Sequence, residues 1–193
     1  GNHGGKGSED KRGPIGNGVL GGGDGGVAHP RTSGKGIGGG LGERWWGGGG
    51  SYGGGGNWTQ DKQLYSSPYG DTALDALLPG SGGGGANDGQ GSGGAGGGAI
   101  GFKAHEKGKF VLYKNMSISV NGGSTLGGSG GSGSGGAIRI EAGSVELNGK
   151  LSAVGGLPNN SEHAKLGHAG GGRIAIHTDG TLVTSDTYSY DVS

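Results

Sequence analysis

Six histidines and a pair of glutamates are where this sequence could do chemistry. His163 and His168 share one loop and His177 lies on the next apolar-alternating stretch, a spacing that could gather imidazoles around a divalent metal. No H-E-x-x-H pattern or ordered set of carboxylates accompanies them, and there is no cysteine. His3, His29, His105, His163, His168 and His177 therefore read as surface residues, and no metal is expected. Glu141 and Glu146 could form a glycosidase pair only if fixed about 5–9.5 Å apart; the bland reading, a solvated face, serves equally well. Gly34-Lys35, Gly108-Lys109 and Gly149-Lys150 are followed by Gly, Phe and Leu, not by the Ser or Thr of a phosphate-binding loop. Ala86-Asn87-Asp88-Gly89 is a single copy of a pattern that holds calcium only in tandem. The expectation is a protein with no catalytic residue and no cofactor.

Two binding chemistries remain. Asn57, Asn115 and Asn159 each open an N-x-S/T acceptor for N-glycosylation, which suits exposed loops of a secreted chain. Trp45, Trp46, Tyr52 and Trp58 cluster in a glycine-rich stretch, where they could stack on sugar rings or cover glycine backbone. The second use is the favoured one.

The elements that would hold these residues are unusual. Glycine accounts for 59 of 193 residues, and Leu, Ile, Val and Phe together for only 31, a balance that leans toward disorder. Net charge is zero, however, which removes the usual driver of disorder and argues against nucleic acid or an anionic membrane surface as partner. No apolar run approaches the ~20 residues of a membrane helix. The chain begins at Gly1, without Met or leader, and reads as a processed product or fragment of something longer.

Internal repeats organise the second half. The pattern GG-x-I-x-(F/I) occurs at Gly97–Phe102, Gly135–Ile140 and Gly171–Ile176, and (I/L)-S-x-x-G-G at Ile118–Gly123 and Leu151–Gly156. Short alternating pieces at 99–102, 110–113, 117–120, 137–142, 144–147, 150–154 and 173–178 read as strands with one buried face. The fold class expected is all-β: parallel β-helix or solenoid-like coils, with Ile138, Ile140, Val145, Leu147 and Leu151 facing inward. Asn148-Gly149 is a turn between two strands, with a two-residue hairpin as the local alternative. The lone helical candidate is Asp71–Leu78, stopped by Pro79 and Gly80.

Residues 1–98 are harder. Ordering 59 glycines costs about 0.5–1 kcal/mol each beyond alanine, several tens of kcal/mol in all. Yet the aromatic residues there have little use in a solvated linker. Glycine can form extended three-per-turn helices of the polyproline II type, and without side chains these can pack side by side through N–H···O bonds. The expected division is a glycine-rich segment over 1–98, β-solenoid repeats over 99–184 and a tail over 185–193, together one structural domain.

The order of HGGKG (3–7), SPYGD (67–71), LLPGSGGGG (77–85), GGGAI (96–100), GGSGSGGAIRIEA (130–142), LSAVGG (151–156) and GGGRIAIH (170–177) resembles glycine-rich β-helical repeat regions. Those belong to large secreted and cell-surface proteins of plants, algae, protists and some bacteria. The resemblance implies an extracellular or cell-surface location within a longer chain. The functional expectation is a structural module of an extracellular filament, wall or appendage, whose partners are copies of itself or neighbouring modules. A carbohydrate-binding adhesin is the alternative. Ice binding ranks below both, because the sequence holds no T-x-T array.

Overall fold

The computed structural model describes Gly23, Gly26 and residues 32–42, 46–56, 66–86, 91–125, 128–158 and 167–193. Among these the chain is all-β, with no helix and nine short strands: β1 (Ala99–Lys103), β2 (Lys109–Leu112), β3 (Ser117–Ser119), β4 (Ala137–Glu141), β5 (Ser144–Leu147), β6 (Lys150–Ser152), β7 (Arg173–His177), β8 (Leu182–Thr184) and β9 (Ser189–Asp191). They form three parallel three-stranded sheets, ordered β1-β4-β7, β2-β5-β8 and β3-β6-β9. The chain therefore visits each sheet once per repeat and returns to it three strands later.

The repeat spacing in the sequence is the register of the sheets. Ile138 pairs with Ile100 on one side and Ile174 on the other, Ile140 with Phe102 and Ile176, and Leu151 with Ile118 and Tyr190. Phe110, Val145 and Leu182 align in the same way in the second sheet. Like side chains thus stack in columns that run from one repeat to the next. Ile138, Ile140, Leu147 and Leu151 are fully buried at the middle of these columns, and Val145 nearly so. Burying such side chains contributes about 1.5–3 kcal/mol each, the main apolar term available to so glycine-rich a chain. Because β5 and β6 lie in different sheets, Asn148-Gly149 turns a corner and makes no hairpin.

Two expectations are corrected. Residues 71–78 form bends and no helix. The Asp71 carboxylate accepts from the N–H groups of Asp75 and Ala76, as a cap would, but Leu74 takes φ 57°, which no right-handed helix can accommodate. Leu74 is fully buried in a second cluster with Tyr52, Ala99, Ala137 and Ala175, and that packing holds the unfavourable conformation. Residues 185–193, expected as a tail, carry β9, which extends the third sheet through Tyr190 beside Leu151.

The glycine-rich segments are joined by backbone hydrogen bonds that recur every third residue. Within 80–86, the N–H groups of Gly80, Gly83 and Ala86 donate to Gly97, Gly94 and Gly91, those of Gly82 and Gly85 to Lys35 and Thr32, and that of Gly84 to Gly48. The carbonyls of Gly80 and Gly83 accept from Gly23 and Gly26, those of Ser81 and Gly84 from Ser134 and Gly131, and that of Gly82 from Gly40. A β-strand addresses each neighbour at every second residue and has two such neighbours. Segment 80–86 addresses its neighbours at every third residue and is surrounded by six stretches of chain.

Absence of a side chain is what permits this. A methyl group built on Gly131 would overlap the Gly48 carbonyl, and one on Gly83 the Gly131 carbonyl. Where a polar side chain does enter, it is mostly serine with its hydroxyl bonded. Ser134 Oγ accepts from the Ser81 N–H at 2.8 Å and donates to the Ser51 carbonyl at 3.1 Å, while Ser132 Oγ donates to the Gly167 carbonyl at 2.7 Å. Buried polar backbone is thereby satisfied without a conventional core.

Candidate functional site

Among the described residues, a cluster of ionisable side chains lies where the first sheet ends. In-register pairing places Lys103, Glu141 and His177 in one row across β1, β4 and β7, with Arg139 two residues before Glu141 on the same face. They line a groove of about 360 Å³, rimmed by Glu106 and Asp179. Lys103 Nζ lies 2.8 Å from Glu141 Oε1, and Arg139 Nη2 lies 3.3 Å from Glu141 Oε2. The hydrogen bond from Lys103, reinforced by the charges of Lys103 and Arg139, holds the Glu141 carboxyl below the usual range. A carboxylate held ionised in this way is a poor general acid at neutral pH.

The remaining donors of this face hold the strap formed by residues 66–79. Arg139 Nη1 donates to the Leu74 carbonyl at 3.1 Å, Arg173 Nη2 to the Tyr69 carbonyl at 3.1 Å, and His177 Nε2 is 2.7 Å from the Ala73 carbonyl. Glu146, the other glutamate of the sequence pair, sits in the second sheet and is bonded to Lys109 and to Asn148 Nδ2. Lysine and asparagine donors lower its carboxyl as well. The two glutamates thus serve separate ion pairs in separate sheets.

The sequence-predicted sites fare unevenly. Asn115 stands exposed in the turn between β2 and β3, at φ 66°, a conformation asparagine tolerates better than most residues. Trp46 is half-buried. Tyr52, expected as a stacking platform, is 0 % exposed, so no face of its ring is open to a sugar. Its ring lies 4.9 Å from that of Tyr69, and the Arg173 guanidinium carbon is 5.7 Å from its centroid. Burial, with Tyr69 adding to it, pushes the Tyr52 hydroxyl up to about 12 despite the opposing charge of Arg173. The Tyr69 hydroxyl, also raised by burial, bonds the Pro79 carbonyl and Ser81 Oγ. Asn57, Asn159, Trp45 and Trp58 lie outside the described residues, as do His3, His29 and His163.

Among the described residues no group of three His, Cys, Asp or Glu side chains could hold a metal ion. No described helix is long and apolar enough to cross a membrane. What sequence reading missed is the strap: nothing in Tyr69–Leu78 signals that its carbonyls are ligands for arginine and histidine side chains 65 to 104 residues later. Compared with protein families, with curated proteins and with solved structures, the chain has no match.

Proposed function

We propose that this chain is a non-enzymatic structural module of an extracellular filament, wall or cell-surface appendage. In this reading β1–β9 are three coils of a parallel β-solenoid, and the glycine-rich stretches are a bundle of polyproline II-type helices packed against it. The observation that carries the reading is where the hydrogen bonds go. Three-residue recurrence is the period of a three-per-turn helix, and strand-by-strand return to the same three sheets is the habit of a solenoid. Charged side chains are likewise engaged within the chain, with Arg139, Arg173 and His177 on backbone carbonyls of the strap and Lys103 and Lys109 on glutamate carboxylates. Such a module acts as a rigid spacer that presents its coil ends to neighbours. The three N-glycosylation acceptors, with the resemblance to surface-protein repeats, support an extracellular setting.

Electron microscopy of native material tests the reading. Filaments or wall-like layers bearing the chain are expected; discrete particles, with the chain housed in a soluble enzyme complex, would overturn it.

A further inference from the structure

The outer edge of β8 and β9 is built like the middle of the stack and left uncovered. The Thr181 and Asp191 carbonyls accept from Val145 and Ala153, and the Ser189 N–H donates to Gly149, so these residues turn their backbone groups toward the middle repeat. Alternation then directs the backbone groups of Leu182, Thr184 and Tyr190 away from it. Among the described residues no strand pairs with that side of β8 or β9. The side chains are open in the same way. Leu182 stands on Val145 and Tyr190 on Leu151; the lower pair is closed over, whereas Leu182 and Tyr190 are 50 % and 67 % exposed. Edge strands are commonly blunted by lysine, proline or a covering element. Residues 178–193 contain neither lysine nor proline.

Charge says what fits there. Residues 178–193 carry three carboxylates, Asp179, Asp186 and Asp191, and no lysine, arginine or histidine. Asp179 precedes β8 and Asp186 lies in the turn between β8 and β9, both exposed, while Asp191 lies in β9 itself. A strand that added to this edge would run past Asp186 and Asp191 at close range. Acidic strands are repelled there and basic ones drawn in.

We infer that the outer edge of β8 and β9 binds a basic, extended segment of another polypeptide, laid down as one more coil. Its first strand pairs with β8, its turn passes Asp186, and its second strand pairs with β9. Backbone bonds to Leu182, Thr184 and Tyr190 supply the attachment, as in other strand additions. Apolar residues of the incoming segment close the columns over Leu182 and Tyr190, and its cationic side chains meet Asp186 and Asp191. This rests on the structural-module reading and gives the chemistry of the neighbour that such a module takes.

The probe is a blocked decapeptide, Val-Lys-Val-Gly-Lys-Asn-Gly-Lys-Val-Lys, written in register with 182–191 so that valines lie over the columns and lysines beside Asp186 and Asp191. Titrated into the isotope-labelled full chain, it should give saturable amide shifts confined to 182–191 that weaken with salt. The same peptide with glutamate for every lysine should not bind. Nor should the version with proline for every valine, which keeps the charge but cannot form the strands. Asp186→Asn and Asp191→Asn should each weaken binding about two- to fivefold, with circular dichroism matching the parent. Absent shifts, shifts centred elsewhere, unchanged binding by the aspartate variants, or equal binding of the proline peptide overturns the docking. Amide exchange on the same sample separates the two readings. No binding with slow exchange in β4–β6 overturns the docking alone, whereas fast exchange there overturns the structural module as well.

Discussion

Replacing Gly131 by alanine adds one methyl group where the structure has no room for it. The new carbon would overlap the Gly48 carbonyl and crowd that of Gly47. Gly131 also donates to the Gly84 carbonyl at 2.8 Å and accepts from the Gly94 N–H at 2.9 Å, so relieving the overlap stretches two hydrogen bonds. Overpacking costs about 1–3 kcal/mol, and each weakened bond about 0.5–1.5 kcal/mol. The loss of unfolded-state freedom on going from glycine to alanine returns about 0.4–1 kcal/mol. The net expectation is a destabilisation of about 2–4 kcal/mol, or roughly 5–15 °C in Tm for a chain of this length. Gly128→Ala is the matched control, three residues away, where a methyl group meets nothing within 4 Å. It should be neutral or slightly stabilising. Thermal and urea unfolding followed by circular dichroism reads both. Equal stability of the two variants would refute the claim that the glycine segments are packed backbone against backbone.

Other consequences can be read in the same way. Ile140→Ala opens a cavity at the centre of a column and should cost about 2–5 kcal/mol in urea unfolding, against under about 1 kcal/mol for Leu182→Ala at the open end. The Tyr52 hydroxyl is raised to about 12 in the folded chain, so its contribution is complete below the ordinary tyrosine range near pH 10 and is lost as pH rises toward 12. Alkaline titration should accordingly show stability falling across that window, and Tyr52→Phe should flatten the fall. Leu74→Ala removes the buried anchor of the strap, and limited proteolysis should then cleave within 66–79 while β4–β6 stay intact.

The strands were legible wherever apolar residues alternate. Offsets of 38 and 36 residues between the GG-x-I-x-(F/I) motifs are the offsets of Ala99, Ala137 and Arg173 in the first sheet. β8 and β9 were not legible, because Leu182–Thr184 and Ser189–Asp191 are three residues each, largely exposed, and lack the motif. Their place is set by the strands beneath them. Asp71–Leu78 misled through good helix composition, which the tertiary demand on Leu74 overrides. The neighbours of each glycine segment could not be read at all. Side chains encode partners, and Gly83 or Gly131 has none; the pairing follows from length, serine placement and backbone hydrogen bonds. Of the candidate site, the outward row of Arg139, Glu141 and His177 was visible as alternation, but its use as a clamp on distant carbonyls was not.

The central claim is that glycine backbone forms a hydrogen-bonded body as ordered as the sheets beside it. Amide hydrogen exchange resolved to individual residues tests this most directly. Gly83, Gly94, Gly131 and Ser134, whose N–H groups bond buried carbonyls of other segments, should exchange as slowly as Ile138 and Ile140 in β4. Exchange at the rate of a solvated glycine linker in 80–98 and 130–136, with β4–β6 still protected, would contradict it.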